Sequence, residues 1–327
     1  MAVYTEVSFD EASALLHSLN LGQLQSMKGC SGGIENTNYF VTTEQGAYVL
    51  TLFERLSFAQ LPFYLHFMKH LALRGIPAPD PAANRDGDIL LKLKGKPAAV
   101  VNRLRGKSEL APTPAHCTAV GDMQAKMHLA ARDFDRAQPN LRALPWWNET
   151  VPVVLPYLDP DQAALIRSEL AYQNHVAASS TYAALPRGPI HADLFRDNVM
   201  FDREPGSDGQ PVLTGFFDFY FAGEDAWLFD LAVCLNDWCI DLPTGVMDDA
   251  RTRSFLQAYA AVRPLTAAER QLLPALLRAG ALRFWVSRLW DLHLPREASM
   301  LQAHDPAHFE RVLRQRIAHP IQLASHL

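Results

Sequence analysis

Cysteine is scarce in this chain: four in 327 residues, at positions 30, 117, 234 and 239, with no C-x-x-C among them. That leaves out a disulfide framework and a thiolate zinc site, and it fits a reducing cytoplasm. Positive charge is scarce as well. Thirty Lys and Arg against 35 Asp and Glu give a net charge of −5, which speaks against nucleic acid or an anionic membrane as the main partner. No apolar run approaches the length of a bilayer span. The first residues, "MAVYTEVSFDEASALL", lack the basic stretch and apolar core of a secretory leader. The expectation is therefore a cytoplasmic protein that binds neither nucleic acid nor membrane. What is present is ordinary for a globular protein, 49% apolar and 20% charged. The length is enough for two lobes and a sizeable core.

The first hundred residues read mostly as strands. "NYFVTTEQGAYVLTLF" is a hairpin turning at "EQG", and "ILLKLKGKPAAVVNRL" is a second, turning at Lys94-Gly95. Between them "LPFYLHFMKHLALRG" has helical spacing and stops at Gly75. A Pro-rich connector, "IPAPDPAANRDGD", follows. From Ala115 onward the patterning is mainly helical, through "AHCTAVGDMQAKMHLAA", "DQAALIRSELAYQNHVAASS", "AWLFDLAVCLNDWCI", "DARTRSFLQAYAAV" and "AAERQLLPALLRAGALRFWVSRLWDLHL". One hairpin interrupts it, with "NVMFD" leading out and "PVLTGFFDF" returning. The pattern predicts an α+β chain with a small antiparallel-sheet lobe over residues 1–104 and a large, mainly helical lobe over 105–327, joined near Asn102 to Ser108.

The densest polar stretch, "HADLFRDNVMFD" from His191 to Asp202, enters that hairpin. It could be a polar turn before a strand. The hairpin argues for more, because its outer ends return to the same place, so Asn198 at its start and Asp218 at its end are expected close together, with Asp193 just upstream. Oxygen-only ligands of this kind suit Mg²⁺. The spacing His191-Ala192-Asp193, four residues, Asn198 matches the kinase loop H-x-D-x-x-x-x-N. In that template the Asp takes the substrate hydroxyl proton, while the Asn and a later Asp hold Mg²⁺ on the phosphates of ATP. Asp218 in "FFDFYFAG" stands where that later Asp belongs.

These motifs, with "SGGIENTNYFV", "YVLTLFE", "VVNRLRGKS", "GPIHADLFRDNVMF" and "DLAVCLNDW", resemble the aminoglycoside phosphotransferase and choline kinase class of small-molecule kinases. Within that class the phrasing is most similar to the bacterial homoserine kinases. The resemblance implies a protein-kinase-like two-lobed fold, the first lobe binding nucleotide and the second carrying the catalytic loop and substrate pocket. It implies ATP and Mg²⁺ as cofactors, with L-homoserine as the acceptor and O-phospho-L-homoserine, on the route to threonine, as the product. His191 then braces the loop, Asp193 is the base, Asn198 and Asp218 bind metal, and Asp230 anchors the loop backbone. The backbone near Asn102 to Leu104 meets adenine. Arg283, Trp285 and Arg288 lie on a late helix where the class builds its acceptor pocket, and either arginine could face a carboxylate. Choline, methylthioribose and aminoglycosides remain as rival acceptors, and a nucleotide-binding pseudokinase as a rival role.

Two further absences concern the nucleotide. The strand lysine of the kinase template falls at Thr51, and Leu61 to Arg74 contains no Asp or Glu to pair with it. The glycine cluster "GCSGG" is not G-x-G-x-x-G, although backbone N–H groups at Ser31, Gly32 and Gly33 could approach phosphates. It also spells G-x-S-x-G, but a hydrolase elbow lies between a strand and a helix, and here a strand follows. "RGKS" at Arg105 to Ser108 has Val101 where a P-loop needs its first Gly.

Overall fold

In the computed structural model, residues 5–30, 36–294 and 304–323 are described. The chain divides into two compact units, Met1–Arg105 with Gly215–Phe217, and Gly106–Thr214 with Asp218–Leu327.

The first unit opens on α1 (Phe9–Ser18), which starts at a capping box: Ser8 Oγ accepts from Glu11 N, and Glu11 returns a carboxylate to Ser8 N. Five strands follow around one helix: β1 (Leu24–Gly29), β2 (Asn36–Thr43), β3 (Gly46–Phe53), α2 (Leu61–Leu73), β4 (Leu91–Leu93) and β5 (Lys96–Asn102). They form an antiparallel sheet in the order β1-β2-β3-β5-β4. The β4–β5 turn places Lys94 at φ 54° and Gly95 at φ 77°, the two left-handed residues that suit the twist of a tight hairpin. Alternation decides the faces. Tyr39, Val41, Leu50, Leu52, Ala98 and Val100 pack with Ala12 and Leu16 of α1 in one buried cluster. Asn38 and Thr51, directly opposed across β2 and β3, fall on the other face.

The second unit contains α3 (Pro114–Ala130), α4 (Leu144–Val154), α5 (Pro160–Ala177), the short α6 (Ser180–Ala183), β6 (Arg187–Ile190), β7 (Val199–Phe201), β8 (Leu213–Phe216), β9 (Gly223–Ala226), α7 (Trp227–Trp238), α8 (Asp249–Val262), α9 (Ala267–His293) and α10 (Ala307–Ala318). Strand β8 begins in this unit and its last two residues belong to the first. Helix α7 is buried along its whole length, so its polar residues need internal partners. Helices α3 and α8 meet closely at Gly121, where a Cβ would lie 2.4 Å from the carbonyl oxygen of Phe255. A second strand pair, β6 with β9, runs from just before His191 to just after Asp218, a pairing absent from the sequence reading.

Candidate active site

The loop between β6 and β7 carries His191, Asp193 and Asn198, and α7 grips it. Polar groups of α7 at positions 230, 234, 237 and 238 repeat every three or four residues, which puts them on one helical face. Asp230 accepts from Ala192 N at 2.7 Å and His191 N at 3.4 Å. Asp237 accepts from Arg196 N at 2.7 Å, and the Arg196 guanidinium returns to Asp237 and to Leu110 O. Trp238 Nε1 donates to Leu194 O at 3.0 Å, and Cys234 Sγ lies 3.5 Å from the same oxygen. Arg196, in the middle of the motif, is thus a clamp rather than a reacting group.

These contacts hold an unusual backbone. Ala192 has φ 65°, a left-handed conformation that costs a residue with a Cβ about 1–2 kcal/mol and persists where its surroundings over-determine it. His191 is wholly buried, its ring 4.6 Å from that of Phe219, and its Nδ1 accepts from Asp193 N at 3.3 Å. Phe195 sets its ring against Phe284 of α9 at 4.5 Å and Phe309 of α10 at 5.9 Å. The loop is fixed on both sides of Asp193.

Asn198 donates through Nδ2 to Asp193 O at 2.8 Å, which commits its amide nitrogen and turns Oδ1 the other way. Asp218 follows β8 at φ 67°, the second non-glycine residue in left-handed geometry at the ends of these strands. Burial pushes the Asp193 carboxyl well above the usual range. The Arg283 guanidinium opposes that rise, and Asp218, Asp197 and Asp237 add to it. Negative charge is therefore crowded around Asp193. No group of three or more His, Cys, Asp or Glu placed to hold a metal occurs among the described residues. The candidate oxygen donors are the Asn198 amide and the Asp218 carboxylate. That set suits Mg²⁺, a hard cation that keeps waters and phosphate oxygens in its remaining positions.

A protein-family model, the phosphotransferase enzyme family, matches residues 26–265. The chain belongs to that family. This phosphotransferase is 70% identical to a homoserine kinase of Polaromonas naphthalenivorans over 99% of its own length and 100% of that protein's. It is 60% identical to a homoserine kinase of Cupriavidus necator, covering 97% of this chain and 96% of the other. Among solved structures it shares its fold with an amicoumacin kinase in complex with AMP-PNP, Ca²⁺ and Ami, at a TM-score of 0.65 and 17% identity over 94% of this chain and 92% of that one. The fold is the α+β, protein-kinase-like fold of the small-molecule phosphotransferases.

On α9 the phosphotransferase treats its two arginines differently. Arg283 is 2% exposed, with its guanidinium 3.8 Å from the Phe284 ring and 5.1 Å from that of Phe221. Its Nε and Nη2 are buried and meet no partner among the described residues. Burial lowers it to about 10, the charge of Asp193 pulling the other way. Arg288 lies over the Phe309 ring at 4.5 Å and donates to Asp305 O at 2.9 Å. Trp285 is wholly buried, and two residues from Arg283 it points about 200° away around the helix.

The nucleotide side is less complete. Ser31, Gly32 and Gly33 lie outside the described residues. Thr51 Oγ1 donates to Asn38 Oδ1 at 2.7 Å, so the position of the template lysine is engaged in a strand-to-strand bond. Lys69 of α2 pairs with Asp80 at 2.8 Å. Asn102 accepts from Asp80 N through Oδ1 at 2.6 Å, and Leu104 packs on Gly215, where a Cβ would come within 2.8 Å of it.

The residues that the motif did not disclose are those behind the loop. Asp230 Oδ2 also accepts from Gln124 Nε2 at 3.1 Å and meets His128 Nε2 at 2.9 Å. Burial alone would raise the Asp230 carboxyl, yet His128 and Ala192 together hold it below its ordinary value. The signal for them is polar residues inside an otherwise apolar helix, at 124 and 128 on α3 and at 230 and 237 on α7.

Proposed function

We propose that this chain transfers the terminal phosphoryl group of ATP to the side-chain hydroxyl of L-homoserine, releasing ADP and O-phospho-L-homoserine, a step toward threonine. The observation that carries the reading is end-to-end likeness to homoserine kinases at 60–70% identity. The geometry of the loop agrees with it. Asp193 takes the hydroxyl proton as the acceptor oxygen bonds to phosphorus and the bond to ADP breaks. Its raised affinity for a proton suits a base, and the positive charge of Arg283 limits that rise. The Asn198 amide oxygen and the Asp218 carboxylate would hold Mg²⁺, which when bound would neutralise charge on the phosphates. Arg283 presents Nε and Nη2, which meet no partner among the described residues and form the planar edge that a carboxylate takes. Arg288 is already tied to Asp305 O, so Arg283 is the one we assign to the acceptor's carboxylate. Choline has no carboxylate to place there.

We assign the base and phosphates of ATP to the first unit, through the backbone of Asn102 to Leu104 and the glycine cluster Ser31 to Gly33. The intact Asp193, Asn198 and Asp218 support an active kinase over a scaffold. No described helix is long and apolar enough to cross a membrane, and the cysteines at 30, 117, 234 and 239 are free, which supports work in the cytoplasm. The test is ADP release with ATP and Mg²⁺. Homoserine should stimulate it strongly, while choline, methylthioribose and kanamycin leave it near background. Stimulation by another of these alcohols and not by homoserine would overturn the assignment.

A further inference from the structure

The anchor of the catalytic loop is itself held by a directed chain of hydrogen bonds that leads away from the site. Arg263, which follows α8, donates through Nε to Tyr259 Oη at 2.9 Å, and its terminal nitrogens pair with Glu269 of α9. Tyr259 Oη lies 2.7 Å from His128 Nδ1. His128 Nε2 lies 2.9 Å from Asp230 Oδ2, and Asp230 receives the N–H groups of His191 and Ala192. All of these side chains are buried.

The donors fix the direction. A guanidinium only donates, so the Tyr259 oxygen accepts there. Burial raises the Tyr259 hydroxyl far above the phenol range, so it keeps its proton, and that proton points at His128 Nδ1. Nδ1 must then accept, which leaves the ring proton on Nε2, facing Asp230. Burial lowers His128, in keeping with a neutral ring. The Trp227 ring, stacked on it at 5.5 Å and 4°, holds its plane. With the proton on Nδ1 instead, a lone pair would face the buried Asp230 carboxylate, which would lose a donor it needs.

We infer that Tyr259 and Arg263 are positioning residues for phosphoryl transfer. They select the Nε2–H tautomer of His128, which steadies Asp230, which in turn holds the left-handed Ala192 and the orientation of the neighbouring Asp193. The inference rests on Asp193 being the base of the proposed reaction.

The test is Tyr259→Phe in two backgrounds. In the otherwise wild-type enzyme it removes the donor to Nδ1 and lets the tautomers mix. The kcat should fall about five- to tenfold, the worth of one hydrogen bond, with KM for ATP and homoserine within about twofold. In His128→Gln the side-chain amide can donate to Asp230 and has no tautomer to select. There Tyr259→Phe should cost no further kcat, the non-additivity that marks a coupled pair. Equal losses in both backgrounds, or none in either, would overturn the inference. ¹⁵N-histidine spectra of the wild-type protein give a readout independent of turnover. The resonance missing from His128→Gln should show the proton on Nε2, and a proton on Nδ1 would overturn the chain's direction. Lack of homoserine turnover by the wild type would remove the reading of the reaction instead and leave the tautomer standing.

Discussion

Asp193 and Arg283 are electrostatic neighbours, and each alters what the other can do. If Asp193 is the base proposed above, it works while ionised, so turnover should fall as pH drops through its raised pKa. Arg283 lowers that pKa against burial and the surrounding acids. Arg283→Met should therefore move the acidic limb of kcat/KM to higher pH, and it should raise the homoserine KM about tenfold or more through loss of the carboxylate partner. Arg288→Met should do much less, since that guanidinium is already bound to Asp305 O. Asp193→Asn should keep ATP affinity while kcat falls about 10²- to 10⁴-fold. Profiles of initial rate against pH with both substrates varied check all three. Thr51 makes a contrast on the nucleotide side. Thr51→Lys should give no gain in kcat, because the new cation breaks the bond to Asn38 and finds no acid on α2 to offset its desolvation. A steady-state comparison with the wild type reads that directly.

Among the elements, those with clear periodicity or turn chemistry were legible in the sequence. The β2–β3 and β4–β5 hairpins, α2 ending before Gly75, and α3, α5, α7, α8 and α9 follow from residue spacing alone. Helix α1 did not, because the strand-rich stretch after it coloured the whole region, although Ser8-x-x-Glu11 was there as a helix-start signal. Strands β6 and β9 are four residues each, too short for alternation to declare itself. The site divides the same way. The spacing of His191, Asp193 and Asn198 names the chemistry, because the template is local. The support by His128 and Tyr259 is spread over more than a hundred residues of sequence, where only a fold brings it together. Close approach was hidden too. Gly121 looks like a weak point in a helix, where Ala would normally be worth about 1 kcal/mol more. Its missing Cβ is what admits the Phe255 carbonyl. Gly121→Ala should therefore destabilise, by about 1–3 kcal/mol from forced separation of α3 and α8. A Tm below the wild type in a thermal melt checks the sign.

For the whole molecule, buried and half-buried histidines shape the response to acid. Burial lowers His128, and it lowers His308 to about 4, with Arg288 and Arg311 nearby adding to that. The folded state prefers both rings neutral. Their contribution to stability is present above about pH 6.5 and is lost as pH falls through the lowered values, about 4 for His308. Asp225 and Asp237, raised by burial, act in the opposite sense, their contribution waning as pH rises. His308→Asn should remove that ring's share of the acid dependence between pH 6.5 and 4, so the variant gains stability relative to the wild type as pH falls, on the order of 1 kcal/mol after allowance for the water that reaches the ring. Calorimetry across that range reads the difference.

The second visit of the chain to its first unit matters at the level of the gene. Gly215–Phe217 is clustered there, where Phe216 N donates to Pro77 O at 3.0 Å and Gly215 fits beneath Leu104. A single recombination point after Arg105 would pair a borrowed first unit with the host's own 215–217 segment, and a mismatch at Leu104 or Pro77 would be inherited with it. Functional chimeras between relatives need two exchanges, one for residues 1–105 and one for three residues more than a hundred positions away.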